Sequence, residues 1–229
     1  MNRKLMLTTA LVTVLALLFA GMGESLHTRV RRSSAIPHAV VLIDAGHGGF
    51  DGGAVAADGT VEKDINLAMA TDLSVVLRLM GYRVQMTRQE DVALCEDPSL
   101  SIRENKRADM AERLALYDSA DAVISIHQNH FPDTSCKGTQ LWYSPNNSGS
   151  EVLGRYIREA VLRNVQPDNT RELKAGTKDI LLLHRTTSPA VLVECGFLSN
   201  PQECNNMQIP GYRLQLALAI AEGLLHYQP

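Results

Sequence analysis

The strongest constraint on the fold is an alternation running from residue 39 to the C-terminus, in which short apolar runs are separated by segments of helical periodicity. Ala39 to Asp44, Tyr82 to Arg88, Asp121 to His127, Gly138 to Ser144, Ile180 to His184 and Ala190 to Phe197 read as strands. Glu62 to Met80 places Ile65, Met69, Leu73, Val76, Leu77 and Met80 at helical spacing, and Gly81 follows where a helix is expected to stop. Ser101 to Ala120, Ser150 to Asn164 and Tyr212 to Tyr227 also read as helices. Parallel strands need crossover connections of this length, and near-continuous apolar strands need cover on both faces. The pattern predicts one α/β domain, with a mostly parallel twisted sheet of about six strands and helices on both faces.

The first residues follow a different rule. Arg3 and Lys4 precede an almost unbroken apolar stretch from Leu5 to Phe19, and small residues follow to Gly23. Basic, apolar, then small is the order of an export signal. Leu5 to Met22 also approaches the ~20 residues that a membrane helix needs. Residues 1–23 are therefore expected to be a signal peptide or an N-terminal membrane anchor. Residues 24–37 read as a linker, with Arg29, Arg31 and Arg32 as a solvated tether, and 38–229 as the folded domain. The protein is expected to be exported, with membrane association through the N-terminus if that segment is an anchor rather than a cleaved signal. A formal charge of −3 and no long basic stripe argue against nucleic acid as a partner. Cys95, Cys136, Cys195 and Cys204 show no CxxC spacing, which argues against a structural zinc site. Cys195 reads as a small buried hydrophobe.

In open α/β sheets ligands gather beyond the carboxyl ends of the strands, and three strands here end in residues suited to chemistry. The first runs through Asp44 into the loop "GHGGFDGG", the third ends at His127, and the sixth holds Glu194 in the apolar run "AVLVECGF". Glu62 opens the first helix, whose N-terminus faces the same edge. The glycine loop is not a phosphate cradle: no lysine follows it, and Asp51 stands where a dinucleotide fingerprint needs its third glycine. Two imidazoles and a carboxylate suit zinc and leave a fourth position open. The same residues also have ordinary readings, as a turn histidine, a helix N-terminal charge and a strand-end histidine. Glu194 is costly to bury unpaired, so it is either a general base or the partner of a buried arginine such as Arg88. His130 and His184 are weaker candidates.

"VLIDAGHGGFDGGA", "EKDINL", "VQMTRQED", "ISIHQN" and "PAVLVECGFLSNP" occur in that order over Val40 to about Tyr227. Together they resemble the zinc-dependent N-acetylmuramoyl-L-alanine amidases of the type 3 family. The resemblance implies one Zn2+ bound by His47, Glu62 and His127, and a catalytic Glu194. It implies hydrolysis by zinc-activated water of the amide joining N-acetylmuramic acid to L-alanine of the peptidoglycan stem peptide. Gln89 to Leu100 is too short for the long inserted helix some relatives carry, and no wall-binding repeats follow the last helix. With "SIHQNHFPD" and "GTQLWYSPNN", this resembles the sporulation (CwlD-like) branch, implying a role in muramic-δ-lactam formation in spore cortex. An activator protein or a homo-oligomer is compatible with this reading. The competing readings are a zinc peptidase acting within stem peptides and a non-catalytic wall-binding protein.

Overall fold

A computed structural model of the chain describes residues 39–229; the expectations for residues 1–23 and 24–37 lie outside them. Six strands form one sheet: β1 (Val40–Ala45), β2 (Arg83–Met86), β3 (Ala122–Asn129), β4 (Gln140–Tyr143), β5 (Lys174–Ala175) and β6 (Ala190–Phe197). Their order is β2-β1-β3-β6-β4-β5. β2, β1, β3 and β6 run parallel, while β4 is antiparallel to β6 and carries the short β5 parallel to itself. The helices are α1 (Glu62–Leu79), α2 (Ile102–Tyr117), α3 (Ser148–Asn164), α4 (Leu181–Arg185), α5 (Pro201–Gln208) and α6 (Pro210–Tyr227). Among the described residues, no helix is long and apolar enough to cross a membrane.

Strand alternation divides the core into two layers. Val41, Ile43 and Ala45 of β1 and Ile124 and Ile126 of β3 pack with Met69 and Leu73 of α1, Ile157 of α3 and Ile220 of α6. Leu42, Val123 and Leu192 face the other way, against Tyr117 of α2 and Leu182 and Leu183 of α4. The central strands are apolar on both faces because both are covered. α2 begins with a capping box, in which Ser101 and Glu104 satisfy each other's backbone N–H groups.

Two expectations are corrected. Ile180 to His184 is not a strand: residues 181–185 form α4. β6 already has β3 and β4 as neighbours, so the sheet offers this run no pairing edge beside β6. Coiled as a helix, the run instead lays Leu182 and Leu183 over Leu192 and Tyr117. The sixth strand is β5, and α5 is a further helix that periodicity did not reveal. Its signals are local: Asn200 accepts from the backbone of Gln202 and Glu203, and Pro201 occupies the first turn.

Candidate active site

β1 and β3 end side by side, with Asp44 opposite Ser125 and Ala45 opposite Ile126. Beyond β1 the chain turns sharply. His47 has φ 61°, in the left-handed region that costs a non-glycine residue about 1–2 kcal/mol. Gly48 and Gly49 follow with positive φ. The turn swings the His47 ring back over the sheet edge, 4.9 Å from the ring of His127 and nearly perpendicular to it.

Glu62 meets both histidines. Its Oε1 lies 3.2 Å from His47 Nε2 and 3.0 Å from His127 Nδ1. The same oxygen accepts from the Gln128 backbone and from Asn66 Nδ2, while Oε2 accepts from the Ala54 backbone. One ligand atom from each of His47, Glu62 and His127 falls within a 4.8 Å cluster. The backbone has been cleared to permit this. A Cβ on Gly46 would stand 2.3 Å from the His127 ring, and one on Gly53 would stand 2.5 Å from Glu62 Oε2.

The electrostatics favour a cation. His47 Nδ1 donates to Asp51 Oδ2 at 3.0 Å, and Asp51 is held in turn by Lys106. Burial acts to lower the His47 pKa, but hydrogen bonds to Asp51 and Glu62 outweigh it and raise it to about 9. Glu62 moves the opposite way: burial raises it, and the two imidazoles pull it well below the carboxylate range. Two imidazoles, a firmly ionised carboxylate and a second carboxylate behind one ring make a donor set that fits a metal such as zinc.

Glu194 stands opposite His127 in the β3–β6 register. Its Oε2 is buried and has no hydrogen-bond partner in the protein. Burial raises its pKa to about 7, with His127 opposing and Glu62 reinforcing the rise. Such a carboxylate is poised to take and return a proton near neutrality. The proposed partner, Arg88, is elsewhere: it donates to the carbonyls of Ala45, Gly46, Lys63 and Glu90. His130 and His184 are both exposed and outside the cluster. All four cysteines are free thiols, with Cys195 buried.

A cavity of about 350 Å³ is lined by His47, His127 and Glu194 together with Ile180 to Leu183. Its lining includes Asp44, which accepts from Thr87, Tyr117, Ser125 and the buried Arg113. Asp51, Asn66 and Arg113 had not been singled out as site residues. Asp51 carried no spacing signal, since residues four apart in a loop need not meet; the backbone pairing of Gly48 with Asp51 is what brings the carboxylate to the ring. Arg113 carried none, because its role depends on which turn of α2 lies under β1.

The family model described as N-acetylmuramoyl-L-alanine amidase matches residues 41–226. A germination-specific N-acetylmuramoyl-L-alanine amidase of Bacillus subtilis is 34% identical over 190 residues, covering 82% of this chain and 79% of that protein. The CwlD amidase of Clostridioides difficile, solved in complex with the GerS lipoprotein, superimposes with a TM-score of 0.79 at 35% identity, covering 83% of this chain and 98% of that one. An N-acetylmuramoyl-L-alanine amidase from Clostridium difficile 630 gives 0.72 at 29% identity, over 83% of this chain and 97% of its own. The chain belongs to the N-acetylmuramoyl-L-alanine amidase family, whose members are hydrolases of an amide bond.

Proposed function

We propose that residues 38–229 form a peptidoglycan amidase domain in which His47, Glu62 and His127 hold a zinc ion and Glu194 is the proton-transfer group. The observation that carries this is the unpartnered Oε2 of Glu194, one strand over from His127 at the same level of the sheet. Zinc bound there supplies Lewis acidity to the reacting groups. The chain's own residues do the rest. Asp51 fixes the orientation of the His47 ring, and Gly46 and Gly53 leave room for close approach. Glu194 takes a proton from water as the water oxygen attacks the lactyl carbonyl carbon. It returns that proton to the L-alanine nitrogen as the carbon–nitrogen bond breaks. The products are a muramic acid carboxylate and a stem peptide with a free N-terminus.

The germination-specific relative of Bacillus subtilis supports a spore-cortex role, leading to muramic-δ-lactam. The lipoprotein complex of the Clostridioides difficile relative supports an accessory protein for this chain too. An extracytoplasmic substrate agrees with an N-terminal export signal or anchor. The test is fragment analysis of purified peptidoglycan treated with the zinc-loaded protein. Stem peptides beginning with free L-alanine are expected, and chelator should abolish them. Cuts inside the stem peptide that leave muramoyl-alanine intact would replace this reading with a peptidase. Spores lacking the gene should lose muramic-δ-lactam; a normal cortex would remove the spore role.

A further inference from the structure

The turn that presents His47 is gripped from two sides by buried guanidinium groups. Three consecutive carbonyls are involved. Arg88 donates from Nε to Ala45 O at 3.0 Å and from Nη2 to Gly46 O at 3.0 Å. Arg113 donates from Nη1 to Ala45 O at 3.1 Å and from Nη2 to His47 O at 2.7 Å. The last of these matters most, because it holds the peptide of the one residue in this turn that sits in a left-handed conformation without being glycine.

Arg113 is itself fixed on every side. Its Nε donates to Asp109 Oδ2 at 2.7 Å, one turn earlier on α2, and its Nη1 pairs with Asp44. Asp44 is locked by Tyr117 Oη at 2.6 Å and Ser125 Oγ at 2.7 Å. The guanidinium is almost fully buried, and its planar fork reaches the β1 carboxylate, the β1 carbonyl and the His47 carbonyl together. Lysine offers a point charge that cannot span these positions.

We infer that Arg113 is a positioning residue for the metal cluster, holding His47 in its left-handed conformation so that Nε2 meets Glu62 and His127. This rests on the zinc-site reading proposed above. The arginine is almost fully buried at the cavity lining and acts on the cluster through the backbone of His47. A matched comparison exists in the same molecule. Arg213 donates to Asp72 and to the carbonyls of Met207 and Gln208, in the same chemical style but at the α5–α6 junction.

The experiment measures zinc affinity by chelator competition, with amide hydrogen exchange of residues 48–53 in the metal-free protein. Arg113→Lys, Arg213→Lys and His47→Ala are compared with the parent. Arg113→Lys is expected to weaken zinc binding by about 10- to 100-fold, the range for groups that orient metal ligands. It should also speed exchange in residues 48–53 while leaving β3 and β6 protected. Arg213→Lys is expected to lower the melting temperature without changing zinc affinity. If Arg113→Lys behaves like Arg213→Lys, with lower stability and parental zinc affinity, Arg113 is structural and the inference fails. Should Arg113→Lys not fold, Asp109→Asn loosens the same guanidinium more gently. It must weaken zinc binding in the same direction, and parental affinity in that variant overturns the inference. If His47→Ala binds zinc like the parent, the site reading itself fails and the inference falls with it. If His47→Ala loses zinc while Arg113→Lys keeps it, the site stands and only the role of Arg113 is lost.

Discussion

At the scale of single residues, buried Asp44 and Arg113 carry a test of the network beneath the site. Burial raises the Asp44 pKa, but Arg113, the nearby His127 and the hydroxyls of Tyr117 and Ser125 bring it from 3.8 to about 2. A depressed carboxylate binds fewer protons folded than unfolded. Its contribution is therefore complete above about pH 4 and is lost as pH falls toward 2, an effect of about 2 kcal/mol. Asp44→Asn leaves the buried Arg113 with Asp109 as its remaining carboxylate partner, which should cost less than the ~3–5 kcal/mol of a fully orphaned buried charge at neutral pH. The gap between the two proteins should narrow below pH 4, as the parent residue becomes the neutral acid that asparagine imitates. Urea melts of both from pH 7 to pH 2 measure this, and a gap independent of pH would contradict it. Glu194→Gln tests the chemistry instead. It should lower kcat by about 10²- to 10⁴-fold, the worth of general acid–base catalysis, with zinc still bound. Amidase activity close to the parent's would remove Glu194 from its role. Candidates such as His47, His127 and Glu194 were legible in the sequence because strand ends of an α/β sheet converge on one edge. Asp51 and Asn66 are not legible in that way, since their place behind the proposed ligands follows from a turn and a helix face that only packing fixes.

At the scale of elements, the β1–α1 connection brings the proposed strand and helix ligands together by removing side chains. Gly46 has no positive φ to excuse it; what excludes a larger residue is the His127 ring, 2.3 Å from where a Cβ would sit. Gly46→Ala is therefore expected to displace His127 and weaken zinc binding at least tenfold, by the scale of perturbed metal-ligand supports. Calorimetric titration of the folded variant checks this, and parental affinity would show that the ring yields freely. The start of α2 gives a contrasting case. Ser101→Ala removes the capping hydroxyl and should cost about 0.5–2 kcal/mol of stability, with zinc affinity unchanged. Equal loss of both would mean that the whole of α2, rather than Arg113, sets the site. Elements differed in how plainly the sequence announced them. α1 was legible because its core positions repeat at helical spacing over many turns. Ile180 to His184 was not, since a short apolar run suits a strand and a buried helix equally until pairing edges are counted. β4 is strand in either direction, and its reversal against β6 leaves no mark in its own residues.

At the scale of the molecule, the proposed ligands come from places far apart in the chain: His47 after β1, Glu62 at the start of α1 and His127 near the end of β3. A metal bound there ties strand, helix and loop into one unit that the unfolded chain cannot reproduce, so binding energy becomes folding energy. Free zinc at about 1,000 times its dissociation constant contributes about 4 kcal/mol. For a domain of this size each kcal/mol moves the melting temperature by about 2–4 °C, so loading should raise it by roughly 8–16 °C. Scanning calorimetry of the protein with buffered zinc and with excess chelator makes the measurement, and His47→Ala in the same two buffers should lose most of the difference. The size of the shift also separates two ways of building such a site. His47 and Glu62 already hold each other's charge, with His47 raised to about 9, so a proton partly fills the role a cation would take. The metal must displace that proton, and the shift should shrink as pH falls below about 9. A shift unchanged between pH 9 and pH 7 would mean that zinc binds without displacing the His47 proton.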